Sequence, residues 1–135
     1  MRELLTELTS NKEIKLGILT GNSLWRAEAK LESAKLDQYF RDENGQLMGA
    51  FGNESEERDG LIEIAKNRLG KPGDTQILVD DFLIGAEMAE RHNISAVMVA
   101  TGTSSVEELS AHVSHVFPDF GEERWREAAD LIKRL

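Results

Sequence analysis

The chain has no cysteine, which excludes disulfides and thiolate metal sites outright and is compatible with a reducing cytoplasm. Long apolar runs are missing too. Stretches such as Ile94 to Ala100 fall far short of a bilayer span. Positive charge is scarce: sixteen Lys and Arg face twenty-five Asp and Glu, for a net charge of -9. That field repels nucleic acid and anionic membrane over most of the surface, so neither is an expected partner. A phosphorylated small molecule would have to be held by a few local donors. The opening Met-Arg-Glu-Leu-Leu carries acid where a secretory signal needs a basic flank and an apolar stretch. The expectation is a cytoplasmic protein. No internal repeat or low-complexity linker breaks the sequence.

What is present is an ordinary globular balance, 40% hydrophobic and 30% charged over 135 residues, enough for a single domain over 1–135. Leu4, Leu5 and Leu8 predict a helix over 2–9. Ile14 to Leu19 reads as a short buried strand, and Asn22 or Ser23 can cap a helix running to about Ala34, with Trp25, Ala29 and Leu31 on its apolar face. An island at Leu47 to Phe51 reads as an extended segment. Ser55 and Glu56 open a helix that buries Leu61, Ile62, Ile64, Ala65 and Leu69 and is stopped by Gly70-Lys71-Pro72-Gly73-Asp74. Gln76 to Val79 is the next strand, delivering Asp80-Asp81. A helix over 83–92, a strand over 96–100, a helix opened by the capping box Ser105 to Glu108 and a short strand over 113–117 follow. An amphipathic helix over 122–135 ends the chain. Alternating strands and helices imply an α/β fold with a mainly parallel sheet, whose functional loops lie at the carboxyl ends of the strands. Three polar clusters fall there: Thr20 to Ser23, Asp80-Asp81, and Thr101 to Ser105.

Each cluster has two readings. Thr20-Gly21-Asn22 places a hydroxyl, a glycine and a helix N-terminus together, a combination that favours an anion such as phosphate. The plainer reading is a strand-to-helix turn capped by Asn22 or Ser23. Asp80 and Asp81 offer hard oxygen ligands, and Mg²⁺ commonly takes only one or two protein carboxylates. They could instead cap the following helix. Arg58 or Lys66 could neutralise phosphate charge, although exposed helix faces often carry such residues. His92, His112 and His115 show no ligand spacing and are expected at surfaces or helix ends, and Trp25 and Trp125 are expected to pack.

The order of these segments resembles haloacid-dehalogenase (HAD)-type phosphatases of the phosphoglycolate-phosphatase-like group. Leu16-Gly17-Ile18-Leu19-Thr20-Gly21-Asn22 is similar to the family's second motif, and Ala27 to Phe40 to the helix after it, ending Leu36-Asp37-Gln38-Tyr39-Phe40. Gly49-Ala50-Phe51-Gly52 with Glu57-Arg58-Asp59 resembles the segment bearing the third, basic motif. Ile77-Leu78-Val79-Asp80-Asp81 stands where the fourth, acidic motif belongs. Val99-Ala100-Thr101-Gly102 with 105–109 resembles the last strand and loop, and Phe117-Pro118-Asp119-Phe120 the closing segment. The resemblance covers roughly 1–121.

It implies a Rossmann-like, three-layer core and a Mg²⁺-dependent phosphomonoester phosphatase. Thr20 would hydrogen-bond the phosphoryl group with the backbone of Gly21 and Asn22. Arg58 would stabilise its charge, with Lys66 the second choice, and Asp81 with Asp80 would hold Mg²⁺. The family's nucleophile is an aspartate in an Asp-x-Asp motif on an earlier, central strand, and these 135 residues contain no Asp-x-Asp. Asp80 stands where glycine is usual, Phe82 where a polar residue is frequent and Gly85 where a second acid is common. The expectation is a truncated core, without the central first strand or the cap, and inactive alone. The two strands flanking the missing one would then pair directly, or a second copy or another chain would fill the gap. Two readings compete with the hydrolase: a non-catalytic α/β module that binds an anion or a protein, and a receiver-like domain, whose acidic pair normally comes early rather than at 80–81.

Overall fold

The computed structural model describes residues 1–71 and 73–135; Pro72, part of the expected helix stop, lies outside them. Strands and helices alternate through the chain, and every strand ladder is parallel. This is an α/β protein of Rossmann-like character. Internal contacts divide it into two compact units. Leu4–Asp74 with Arg2 form one, and Thr75–Leu135 with Met1 and Glu3 the other.

In the first unit, helix α1 (Arg2–Thr9) buries Leu4, Leu5 and Leu8, the stripe its spacing predicts. Strand β1 is only Ile18–Leu19, shorter than the apolar run that announced it. Helix α2 (Leu24–Ala34) ends where Lys35 turns left-handed, and Arg2 donates to the exposed carbonyls of Ala34 and Lys35, satisfying acceptors that a helix end leaves open. A 3-10 turn (Asp37–Phe40) follows, so the helix over this segment breaks before the Leu-Asp-Gln-Tyr-Phe phrase. Strand β2 (Gly49–Ala50) lies alongside β1, and helix α3 (Arg58–Leu69) buries Leu61 and Ile62.

Two details correct the sequence reading of α2. Its buried residue is Ala27, while Trp25 is 70% exposed and Ala29 faces solvent. The charged side of α2 is held by Arg41. Its guanidinium bonds Glu28 at 2.9 Å, Glu32 at 3.0 Å and Asp37 at 2.9 Å, and also the Gly45 carbonyl at 2.8 Å. Glu28 and Glu32 form an i,i+4 row brought together by the helical period, on the same side of α2 as Trp25 and opposite buried Ala27.

In the second unit, strand β3 (Ile77–Asp80), helix α4 (Leu83–Arg91), strand β4 (Ser95–Val99), helix α5 (Val106–Ser110), strand β5 (His115–Phe117) and helix α6 (Arg124–Arg134) follow in turn. The sheet order is β3-β4-β5. Central β4 is buried from Ala96 to Val99, as expected of a parallel strand covered on both faces. Beneath it Ala86, Ala89, Ala96, Met98 and Leu109 form a tight core, with Leu78, Ala100, Val113 and Val116 packed around them. Helix α6 buries Ala128, Ala129 and Ile132 and exposes its charged side.

Helix α5 is only five residues long, and its start is fixed by the capping box its sequence announces. Ser105 Oγ accepts from Glu108 N–H at 3.1 Å and Glu108 Oε1 from Ser105 N–H at 3.1 Å. Ser105→Ala is expected to lower stability by about 1 kcal/mol, read as a shift in the urea midpoint. An unchanged midpoint would show that tertiary packing alone holds this turn.

The strands expected to flank a missing one do not pair with each other. β1 pairs with β2 and β3 with β4, in separate two- and three-stranded sheets. No helix among the described residues is long and apolar enough to cross a membrane.

Candidate functional site

Thr20 directly follows β1, and its N–H donates to the Ala50 carbonyl at 3.2 Å, anchoring it at the strand end. Its Oγ1 accepts from Asn22 N–H at 3.1 Å, which folds 20–22 into a tight turn and leaves the hydroxyl proton to be donated. Gly21 is exposed, with open space on its side-chain side. Hydroxyl, glycine and the start of α2 are therefore together, as their order in the sequence implies.

The cap is a different matter. Ser23 occupies the N-cap position of α2 yet makes no side-chain cap bond, and Leu24 N–H instead donates to Asn53 Oδ1 at 3.3 Å. The loop after β2 thus caps the helix after β1. That loop is held close by backbone, since Gly52 N–H donates to the Asn22 carbonyl at 2.8 Å. A Cβ on Gly52 would overlap the Gly21 carbonyl, so the approach of the two loops depends on that glycine. The same loop leads into Arg58, the first residue of α3. Thr20 and Arg58 consequently sit on two loops bonded to each other. Lys66 lies in the last turn of α3 and is exposed.

Arg68 and Glu54, which the sequence reading passed over, fix this loop pair. Arg68 donates to the Gly49 carbonyl at 2.9 Å and to both carboxylate oxygens of Glu54, and Glu54 also accepts from Phe51 N–H at 3.1 Å. The bond from Arg68 above all, with help from the Phe51 N–H, holds the Glu54 carboxyl below its ordinary pKa. A carboxylate whose pKa is depressed by folding stabilises the fold above its unfolded pKa, and that stabilisation is lost as pH falls through the folded value. We expect a decline in stability with acid below about pH 4.5, to which Glu54 contributes. Arg68→Ala should reduce its slope, measured as the urea midpoint against pH. Parallel slopes for both proteins would refute the assignment.

In the other unit, Asp80 closes β3 and Asp81 follows it. Asp80 Oδ1 accepts from Asp81 N–H at 2.7 Å, and its carboxylate lies where a Cβ on buried Gly85 would be. Asp80 is therefore turned toward the first turn of α4. Asp81 is exposed and lies against Gly102. The first N–H of α4, that of Leu83, is capped by Ser104 Oγ at 2.9 Å, and Ser104 is the one buried polar side chain among the described residues. Again a neighbouring strand-end loop supplies the cap. Thr101 borders a cavity of about 300 Å³ at the carboxyl end of β4, with Val99, Phe120, Glu122 and Trp125 in its wall.

The carboxylates at 80–81 do not form a protein cage for a metal ion. Asp81 alone offers an outward carboxylate, and no group of three or more His, Asp or Glu side chains among the described residues forms a metal set. His92 caps α4, His112 bonds Glu90 at 2.9 Å and His115 lies on β5. Trp125 is half-buried under Arg126, whose guanidinium carbon is 5.0 Å from its ring centroid.

No protein-family model matches the chain, and no curated protein matches its sequence.

Proposed function

We propose that this chain is the phosphate-handling core of a HAD-like, phosphoglycolate-phosphatase-like hydrolase of the cytoplasm, catalytically incomplete by itself. The observation that carries the reading is the Thr20 turn. A hydroxyl with a proton to donate, an exposed glycine and a helix start lie together at a parallel strand end, bonded to the loop that leads into Arg58. Such a turn suits the oxygens of a phosphate monoester. Thr20 donates to one oxygen, the turn backbone to another, and Arg58 offsets charge on the transferring group. Asp81 would hold Mg²⁺, with Asp80 positioned to orient the loop. Bound Mg²⁺ would supply Lewis-acid neutralisation of the phosphoryl oxygens.

Covalent phosphoryl transfer requires a nucleophile, and the Asp-x-Asp of the family is absent from these residues. A strand from outside these residues would complete the sheet. A non-catalytic module that binds an anion or a protein is the second reading, and the same missing nucleophile favours it.

The test is Mg²⁺-dependent hydrolysis of p-nitrophenyl phosphate by the 135-residue chain beside Thr20→Val and Asp81→Asn, with binding of inorganic phosphate measured by calorimetry. We expect no turnover above the variants, and phosphate binding that Thr20→Val weakens at least threefold. Turnover abolished by both substitutions would overturn the claim of incompleteness. Phosphate binding indifferent to Thr20 would remove the phosphate site.

A further inference from the structure

The first turn of α2 departs from an ordinary helix start in three ways. Its unbonded N–H groups make that end positive, which favours acidic side chains there, yet the turn holds none and reads Leu24-Trp25-Arg26. Large apolar side chains ordinarily face a core, yet Leu24 is 43% and Trp25 70% exposed. A tryptophan left in water forgoes most of what its burial would contribute. Arg26 is exposed too, and its guanidinium makes no ion pair or hydrogen bond among the described residues. Side chains on a helix lean back toward its N-terminus. From the second and third helical positions, Trp25 and Arg26 therefore lean toward the 20–23 turn, where the Thr20 hydroxyl and exposed Gly21 lie. The acid that follows Trp25 on its side of the helix, Glu28, is bonded to Arg41 at 2.9 Å, which offsets its charge.

We propose that the first turn of α2 extends the Thr20 site into a subsite for the organic group of the monoester, and that this group is a planar aromatic ring, as in a nucleoside monophosphate. Trp25 stacks on the ring, Leu24 packs beside it and Arg26 pairs with the phosphate. The ligand class follows from two kinds of surface side by side. A hydroxyl, helix N–H groups and an unpaired guanidinium suit a phosphate. An exposed indole face suits a ring, since a base gains about 1–3 kcal/mol from stacking on an aromatic side chain. A small aliphatic monoester would use the first surface and leave Trp25 and Leu24 in water. This inference rests on the Thr20 reading and adds to it what the monoester carries.

The probe is adenosine monophosphate, compared with ribose 5-phosphate and inorganic phosphate by calorimetry on the full chain. Quenching of Trp25 fluorescence is followed in a Trp125→Phe background. The expected result is adenosine monophosphate bound at least fivefold more tightly than ribose 5-phosphate, with quenching of Trp25. Trp25→Ala should remove that preference, and Arg26→Gln should weaken all three ligands by a similar factor. Equal affinity for adenosine monophosphate and ribose 5-phosphate, or a preference that survives Trp25→Ala, would overturn the stacking subsite and leave the phosphate site standing. An Arg26→Gln chain that binds all three ligands unchanged would overturn the role of Arg26. Inorganic phosphate that fails to bind the unsubstituted chain would strike the Thr20 site, and this inference with it. A chain that self-associates in sedimentation and is dissociated by Trp25→Ala would assign Leu24 and Trp25 to an interface between copies and overturn the subsite.

Discussion

Gly49→Ala is expected to destabilise the protein by about 3 kcal/mol, a large share of the 5–15 kcal/mol that holds a domain together. Gly49 has a φ of +142°, a region open to glycine and costly for any residue with a Cβ. It is also buried in β2 and registers with Ile18 of β1. A Cβ there would overlap the backbone nitrogen and carbonyl of Ile18. No side chain can rotate to make room, so the ladder itself must open. Once it opens, the Thr20 N–H loses its Ala50 acceptor and the Arg68 bond to the Gly49 carbonyl is displaced. The control is Gly21→Ala, where nothing lies within 4 Å of the added carbon and a change under about 0.5 kcal/mol is expected. Urea unfolding of the two variants decides the matter. Equal stabilities would mean that the β1–β2 ladder does not depend on this close approach.

Leu109→Ala should cost a comparable amount, about 3 kcal/mol, for a different reason. The core beneath β4 is built largely from alanine, with Ala86, Ala89 and Ala96 around Met98 and Leu109. Small residues bring α4 close to the sheet, but they leave most of the volume to two side chains, both completely buried. Truncating one of them opens a cavity lined by short side chains that cannot reach across it, so little of the loss is recovered by relaxation. Val106→Ala on the same helix is the comparison. Val106 is 36% exposed, and its truncation should change stability by less than about 0.5 kcal/mol. A Leu109→Ala loss below about 1 kcal/mol, read from urea midpoints, would show that the cluster repacks and is not the core of this unit.

Helices were the legible part of the fold. Leu4, Leu5 and Leu8 mark α1, Leu61 and Ile62 mark α3, and Ser105 with Glu108 mark the start of α5, because each signal lies within a turn or two of the helix it describes. Strand lengths were less legible. The apolar run over 14–19 yields two residues of strand and the island over 47–51 yields two, since a ladder extends only as far as both partners stay in register. Trp25 is the instructive error. An aromatic on an amphipathic helix is ordinarily buried, yet Trp25 shares its side of α2 with Glu28 and Glu32, which bond Arg41 nine residues or more further on, and the buried residue is Ala27.

The candidate site divides along the same line. By itself the sequence determined where the polar clusters fall: a hydroxyl and a glycine after β1, two carboxylates after β3, and the absence of any Asp-x-Asp. Local order suffices for this, because the residue after a strand is at the strand's end whatever the rest of the chain does. Only the tertiary structure decided what each polar atom is bonded to. Asn53 rather than Ser23 caps α2, Ser104 rather than Asp80 or Asp81 caps α4, and Arg68 with Glu54 braces the loop into Arg58. These partners are 14 to 29 residues apart. Hydrogen bonds are made to whichever acceptor folding brings within about 3 Å, and over such separations that is settled by sheet register and loop packing rather than by spacing along the chain.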